Sequence, residues 1–388
     1  MVRVSVTAGR IPRFAGRERH VAFLRIARAK DPAEAVGGIE HTIAAQSREL
    51  VRRGWKVTIL LAGCAPTCAR LGGFFTGQAL TSIKFHGEGQ LELAAQVRAT
   101  TLERGIGVVV AENHREAIAA AIGIRQNPSA VLIWRHHTLP RPRGFRYLLT
   151  PFVDRLLLHR VAGHVVISQS LAGELPKSRR VRAPIYVVPN GIAAPEGPPD
   201  CVTASNDPLS RRVAMIARLD GNKGHDVLLT ALSILKNFRI GATIIGDGRR
   251  KDAVAEMAVR LNVADRVTFL GQLPDPWKPL QDTEVIVLPS ANEGSPLVLL
   301  EAFARKKLVV ASAVGAVGEL VKDNQTGFLI PPGNPQALAD SLKHIFENPS
   351  AEFLRHRMKA YDHYRQQHTI EYSAACLESA LLAASGLQ

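Results

Sequence analysis

The chain has 388 residues, 46% of them hydrophobic and 21% charged, which excludes a disordered chain and leaves room for two cored domains at roughly 100–200 residues each. No apolar run reaches the roughly 20 residues that span a bilayer as a helix. The net charge of +15 is uneven, with 28 Lys+Arg against 14 Asp+Glu in residues 1–200 and 21 against 20 in residues 201–388; aromatic residues are only 5% and no nucleic-acid-reading module is present, so the basic half points to an anionic membrane surface or a phosphorylated partner rather than to nucleic acid.

Residues 1–19 form an Arg-rich extension without the apolar stretch of a secretory signal. The segment HVAFLRIA (20–27) reads as a buried strand. Gly37-Gly38 follows, then a helix through IEHTIAAQSRELVRR that stops at Gly54. Further strand-like runs are KVTILLAG (56–63), IGVVVA (106–111), AVLIW (130–134), GHVVIS (163–168) and PIYVVP (184–189). Helical segments lie between several of them, and that alternation predicts a parallel, doubly wound α/β domain over residues 20–192. Residues 193–209 (AAPEGPPDCVTASNDPL) have no apolar periodicity and read as a linker.

The alternation restarts with RVAMIA (212–217), ATIIGDG (242–248), RVTFLG (266–271), VIVLPS (285–290) and LVVAS (308–312). It predicts a second Rossmann-like domain over residues 210–365. A helical tail at 366–388 is expected to pack back on the first domain. Ligands of such sheets bind at the carboxyl ends of the strands, so two such domains are expected to face a central cleft. The four cysteines, Cys64, Cys68, Cys201 and Cys376, lack the paired spacing of a zinc site and suit a reducing compartment, hence a cytoplasmic protein without metal.

The segment richest in chemistry is Pro289-Ser-Ala-Asn-Glu293-Gly294-Ser295-Pro296, followed by Leu-Val-Leu-Leu-Glu301. It follows a strand and opens a helix. Ser295 is the expected N-cap and Pro296 the expected first helical residue. The free amides from Leu297 and Val298 onward, with the positive helix end behind them, make a phosphate site. Glu293 and Glu301 can turn toward one ligand, and carboxylates bind vicinal hydroxyls well. The blander alternative is an ordinary capping loop with one exposed Glu. Arg218 and Lys223 lie in a Gly-containing loop after a strand, where cations can stabilise a leaving diphosphate; otherwise they are two solvated surface charges. Gly37-Gly38 allows close backbone approach to a phosphate or sugar, or is a plain strand–helix turn. His136 and His137 end the strand AVLIW, and either can face a ligand there. Two basic clusters, Arg141–Arg160 and Lys177–Arg182, read as an anionic-membrane face or a solvated one.

Taken together, these stretches resemble the retaining glycosyltransferases of the GT-B fold, in particular family 4 (glycosyl transferases group 1). The Glu293-x7-Glu301 segment resembles that family's signature. Gly37-Gly38-Ile39-Glu40, Val188-Pro189-Asn190-Gly191-Ile192, Ala217-Arg218-Leu219-Asp220 with Lys223-Gly224, Gly246-Asp247-Gly248, Phe269-Leu270-Gly271 and Gly327-Phe328-Leu329 match it in order. The likeness runs over about residues 20–345 and is looser in the first half. Glu112-Asn113-His114 resembles an acceptor-side or inter-strand loop of some members that build bacterial surface polysaccharide.

The resemblance implies that Glu301 holds the donor ribose and that Glu293 contacts the transferring sugar. It implies that Arg218 and Lys223 grip the diphosphate, and that His137 rather than His136 faces the donor. Gly37, Gly38, Gly246, Gly294, Ser295, Leu297 and Val298 complete the donor-binding set. The expected reaction is metal-independent transfer of a hexose-type sugar, with retention, from a nucleotide-sugar substrate, a UDP-sugar foremost. The acceptor is a glycan or a phosphorylated or lipid-linked molecule of polysaccharide or lipopolysaccharide synthesis, met in the cytoplasm or at the inner membrane face. No separate cofactor and no nucleic acid is implied. A sugar phosphorylase and a non-catalytic nucleotide-sugar-binding subunit stay open as alternatives on the same fold.

Overall fold

The computed structural model describes residues 18–26, 37–63, 75, 79–84, 89–138, 158–178, 181–195, 211–238, 240–348 and 351–387. Most of the N-terminal extension, the segment 139–157 with most of the first basic cluster, Arg179-Arg180 of the second, Cys64, Cys68, Cys201 and most of the expected linker lie outside them. The chain divides into two units. The first comprises the described residues up to Ala193 together with those from Ile370, and the second runs from Ala194 to Thr369.

The strands of the first unit are β1 (His20–Ile26), β2 (Lys56–Gly63), β3 (Ala79–Lys84), β4 (Val108–Ala111), β5 (Val131–His136), β6 (Val161–Val166) and β7 (Ile185–Val187). Its helices are α1 (Gly38–Arg52), α2 (Gln90–Glu103), α3 (His114–Gly123) and α4 (Gln169–Ser178). All seven strands are parallel, in the order β3-β2-β1-β4-β5-β6-β7. Both faces of a parallel sheet are covered, so these strands read as unbroken apolar runs. Along β1, Val21 and Phe23 pack on one face with Ile43 and Leu50 of α1, while Ala22, Leu24 and Ile26 pack on the other with Leu93 and Val97 of α2. The chain order reverses between β1 and β4. Such a switch point opens a crevice at the carboxyl ends of the two strands.

In the second unit the strands are β8 (Arg212–Ile216), β9 (Gly241–Ile245), β10 (Val267–Gly271), β11 (Val285–Leu288), β12 (Leu308–Ser312) and β13 (Phe328–Ile330). The helices are α5 (His225–Ile234), α6 (Lys251–Arg260), α7 (Leu297–Ala304), α8 (Val317–Leu320), α9 (Pro335–Glu347) and α10 (Ala351–Gln367). The strand order is β10-β9-β8-β11-β12-β13, again all parallel, with the switch between β8 and β11. The sheet is thus the doubly wound α/β arrangement a second time.

The last helix, α11 (Ile370–Ser385), belongs to the first unit. Leu377 and Leu381, both fully buried, join the core under α1, each worth roughly 1.5–3 kcal/mol. Polar contacts fix its placement: Trp55 Nε1 donates to Glu378 Oε1 at 2.9 Å, and Gln46 Nε2 donates to Ser373 Oγ at 2.9 Å. Among the described residues no helix is long and apolar enough to cross a membrane.

Candidate active site

In the second unit the loop after β8 carries Arg218 and Lys223, and the loop after β11 carries Glu293. These two loops flank the switch point, where the topology brings residues seventy positions apart into contact. Lys223 Nζ donates to Glu293 Oε1 at 2.8 Å, and Ser290 Oγ donates to the same oxygen at 2.7 Å. The backbones are stitched as well, with the Ala291 amide on the Asn222 carbonyl at 2.9 Å. Oε2 of Glu293 has no hydrogen bond among the described residues, so one carboxylate oxygen is anchored and the other is left to accept from a hydroxyl.

Two glycines make this closeness available. Gly224, at φ +81, precedes α5, and a Cβ there would overlap the Pro289 carbonyl. Gly315, at φ +53, packs on the Glu293 carbonyl with no room for a Cβ, while the neighbouring Ala316 amide donates to Gly294 O at 3.0 Å. L-residues avoid both dihedral regions.

The N-terminus of α7 lies just beyond. Its N-cap is Pro296, with extended ψ of 123°, so the helix opens at Leu297. The expected cap at Ser295 is therefore displaced by one residue, and Ser295 is buried before the helix begins. The amides of Leu297 and Val298 are first-turn donors without intrahelical acceptors, at the positive end of the helix dipole. Glu301 stands one turn further on. Its Oε2 accepts from Trp277 Nε1 at 3.0 Å, and the Arg305 guanidinium stacks 4.5 Å from the Trp277 ring. Glu301 thus repeats the pattern of Glu293, with one oxygen held by the protein and one without a hydrogen bond among the described residues. Nothing in the spacing of Trp277 announced that contact.

Arg218 is placed differently. It is 66% exposed and pairs with Asp220 at 3.2 Å, not with Glu293. The loop that holds it is pinned to the loop after β9: the Ala217 amide donates to Ile245 O at 3.0 Å and the Leu219 amide to Asp247 O at 2.9 Å. Gly246 sits in that pinned segment, its amide on Gly271 O at 2.8 Å.

The first unit holds the other expected residues. Gly37 caps α1 and Gly38 opens it. The Gly37 amide donates to Glu40 Oε2 at 2.9 Å, and Glu40 Oε1 accepts from Arg25 Nε at 2.7 Å. Gly37 has an extended φ of −131° that any residue adopts; a Cβ there would instead crowd Glu40 Oε2 at 3.3 Å. His136 and His137 go to separate places. His136 ends β5, buried, with Nε2 3.0 Å from His164 Nδ1 and its ring beside Trp134. His137 follows the strand, and its Nε2 lies 2.7 Å from Glu112 Oε2.

Paired acceptor carboxylates, with Lys223 held on Glu293, and a helix N-terminus stand on a doubly wound sheet at its switch point, an arrangement able to accept from hydroxyls and to bind an anion. Family models agree. Residues 206–364 match the glycosyl transferases group 1 and residues 36–194 match glycosyltransferase family 4. The chain belongs to the group 1 glycosyltransferases of the GT-B fold.

A lipopolysaccharide core biosynthesis mannosyltransferase, LpcC, of Rhizobium leguminosarum bv. viciae is 28% identical over 47% of this chain and 54% of its own length. A D-inositol 3-phosphate glycosyltransferase of Mycolicibacterium gilvum is 34% identical over 42% of this chain and 38% of its own. The matches therefore span about half or less of these relatives. Two solved structures share the fold over nearly the whole chain. A glycosyltransferase from Rickettsia africae superposes with a TM-score of 0.79 at 17% identity, covering 95% of this chain and 98% of that one. Anabaena Alr3699/HepE in complex with UDP superposes with a TM-score of 0.76 at 21% identity, covering 93% and 99%.

Proposed function

We propose that this protein is a retaining hexosyltransferase that takes a UDP-sugar as donor and a glycan or a phosphorylated or lipid-linked acceptor of cell-surface polysaccharide or lipopolysaccharide synthesis. The observation that carries the reading is the Lys223–Glu293 pair beside the N-terminus of α7, with Glu301 one turn inside the same helix. The UDP bound by one neighbour, and the lipopolysaccharide role in one relative's name, are in keeping with it.

In this reading the second unit carries the nucleotide. Glu301 Oε1 accepts from the ribose hydroxyls, and Glu293 Oε2 accepts from a hydroxyl of the sugar. The amides of Leu297 and Val298, with Lys223 and the exposed arm of Arg218, meet the charge that grows on the diphosphate as the bond to the anomeric carbon breaks. The acceptor oxygen bonds that carbon on the face the diphosphate leaves, and its proton passes to a diphosphate oxygen. Those cations do the neutralising work a metal would otherwise do, so transfer proceeds in the presence of a chelator. The first unit carries the acceptor, and His137 serves the transferred sugar. The excess of basic residues in the first half of the chain favours contact with anionic membrane lipid.

The test is thermal stability with UDP, GDP, ADP and dTDP at millimolar concentration without added metal. At 100 times Kd a nucleotide stabilises by about 2.7 kcal/mol, a shift of a few degrees. UDP is expected to shift the wild type and not Glu301→Ala. No shift with any of the four overturns the donor-site reading.

A further inference from the structure

The parallel register places Leu24 of β1 beside Ala111 of β4, and Ala111 beside Trp134 of β5. One step beyond, at the carboxyl edge of the sheet, the same rung is filled by Arg25, Glu112 and Arg135. Three charged residues thus stand side by side where the preceding rungs are apolar. Side chains alternate along a strand, so these three share the face of Phe23, Val110 and Ile133, and the Arg135 guanidinium lies 5.7 Å from the Phe23 ring.

Glu112 is wholly buried, as is Glu116 of α3, and Arg135 is 1% exposed. Around them stand Arg25 from β1 and Glu40 from α1. Arg25 Nη1 lies 3.5 Å from Glu116 Oε1, and Arg135 Nη1 lies 3.5 Å from Glu112 Oε1. Three buried carboxylates face two guanidinium groups, and a buried charge without a partner is costly. The third partner is His137, the nearest polar contact that Glu112 makes, at 2.7 Å. Burial alone would push the Glu112 carboxyl up. Arg135, the hydrogen bond and charge of His137, and Arg25 outweigh it and hold the carboxyl below its ordinary value. Glu112 is therefore ionised and can only accept, so the proton between it and His137 belongs to the imidazole.

We propose that Glu112 is a positioning residue of the transfer site: by accepting from Nε2–H it fixes both the orientation and the tautomer of His137, leaving Nδ1 as the ring atom that meets the transferred sugar. This rests on the reading of His137 given above. A carboxylate that holds an imidazole in one tautomer has the same logic in hydrolytic triads, where its amide replacement leaves the geometry intact and the tautomer wrong.

The experiment is a long-range 1H–15N correlation spectrum of the ring nitrogens in the full-length 15N-labelled chain at a pH where neutral histidines dominate. The variant His137→Asn identifies the His137 signals by their loss. The wild type is expected to show His137 protonated on Nε2, and Glu112→Gln to show a mixed or reversed tautomer. Glu112→Gln is also expected to lower kcat for sugar transfer by about 10²–10⁴-fold with KM for the donor little changed, and Glu112→Asp to recover at least tenfold of it. A wild-type His137 protonated on Nδ1 overturns the proposal without recourse to any variant, and so does a Glu112→Gln protein with unaltered tautomer and kcat. The spectrum needs no turnover. Failure of the transferase reading shows separately, as a wild type that neither transfers sugar nor is stabilised by nucleotide.

Discussion

Gly315 packs directly on the carbonyl of Glu293, and a Cβ at that position has nowhere to go. The contact comes from backbone on both sides, at the loop after β12 and the loop after β11, so no side-chain rotation relieves it. Gly315→Ala is expected to displace the Glu293 loop. The left-handed φ of +53° costs about 1–2 kcal/mol in an L-residue, and overpacking adds about 1–3 kcal/mol. Thermal unfolding should show a Tm lower by several degrees, and donor turnover should fall further than stability explains, because Glu293 shifts relative to Lys223.

The Lys223–Glu293 pair lends itself to a double-mutant cycle. Lys223→Met leaves Glu293 anchored by Ser290 alone, and Glu293→Gln leaves Lys223 without its anion. Each single change is expected to lower kcat/KM by about 10²–10³-fold, the loss typical of one preorganised electrostatic contact. The double variant should be little worse than the poorer single one, so that the coupling approaches the smaller single loss, about 2.7–4 kcal/mol. Strict additivity of the two losses would mean that the residues act on substrate independently.

Trp277 ties the loop after β10 to α7 through its hydrogen bond to Glu301. Phe in its place keeps a ring for Arg305 to stack on but removes the N–H. The remaining Glu301 carboxylate is then unanchored, and the nucleotide Kd, measured by titration calorimetry, is expected to rise by about two- to tenfold for one lost hydrogen bond of about 0.5–1.5 kcal/mol. Alanine at 277 also removes the stacked ring and should weaken binding more.

The two sheets were legible because each buried parallel strand is a continuous apolar run, as in Val285–Leu288 and Leu308–Ser312. Two strands escaped. Ala79–Lys84 is an edge strand of mixed polarity and Phe328–Ile330 is three residues long, so neither offers a periodic pattern to read. Within the site, the Glu293 loop and helix are local in sequence and could be read. The pairing of Glu112 with His137, and of Trp277 with Glu301, joins residues about two dozen positions apart. Only strand register and loop packing bring them together, and neither is written in local spacing. The helix start at Leu297 was read one residue early because Pro suits a first turn, whereas here its extended ψ makes Pro296 the cap itself.

His225, at the start of α5 behind Lys223, gives the fold a predictable acid limit. Its ring is buried, Nε2 has no hydrogen-bond partner among the described residues, and burial pushes its pKa down to about 4. The unfolded chain takes up that proton near pH 6.5, while the folded chain resists until about 4, so the unfolded state binds more protons throughout this window. Stability therefore rises with pH there: the neutral ring costs nothing above pH 6.5, and acidification toward pH 4 destabilises the fold by up to roughly 3 kcal/mol. His363, also pushed down to about 4 by burial, acts in the same direction. Urea unfolding at a series of pH values is the measurement. A neutral side chain of similar size, His225→Gln, is expected to flatten the slope between pH 6.5 and 4 without removing the part owed to His363. A variant whose slope equals that of the wild type would place the acid sensitivity elsewhere in the fold.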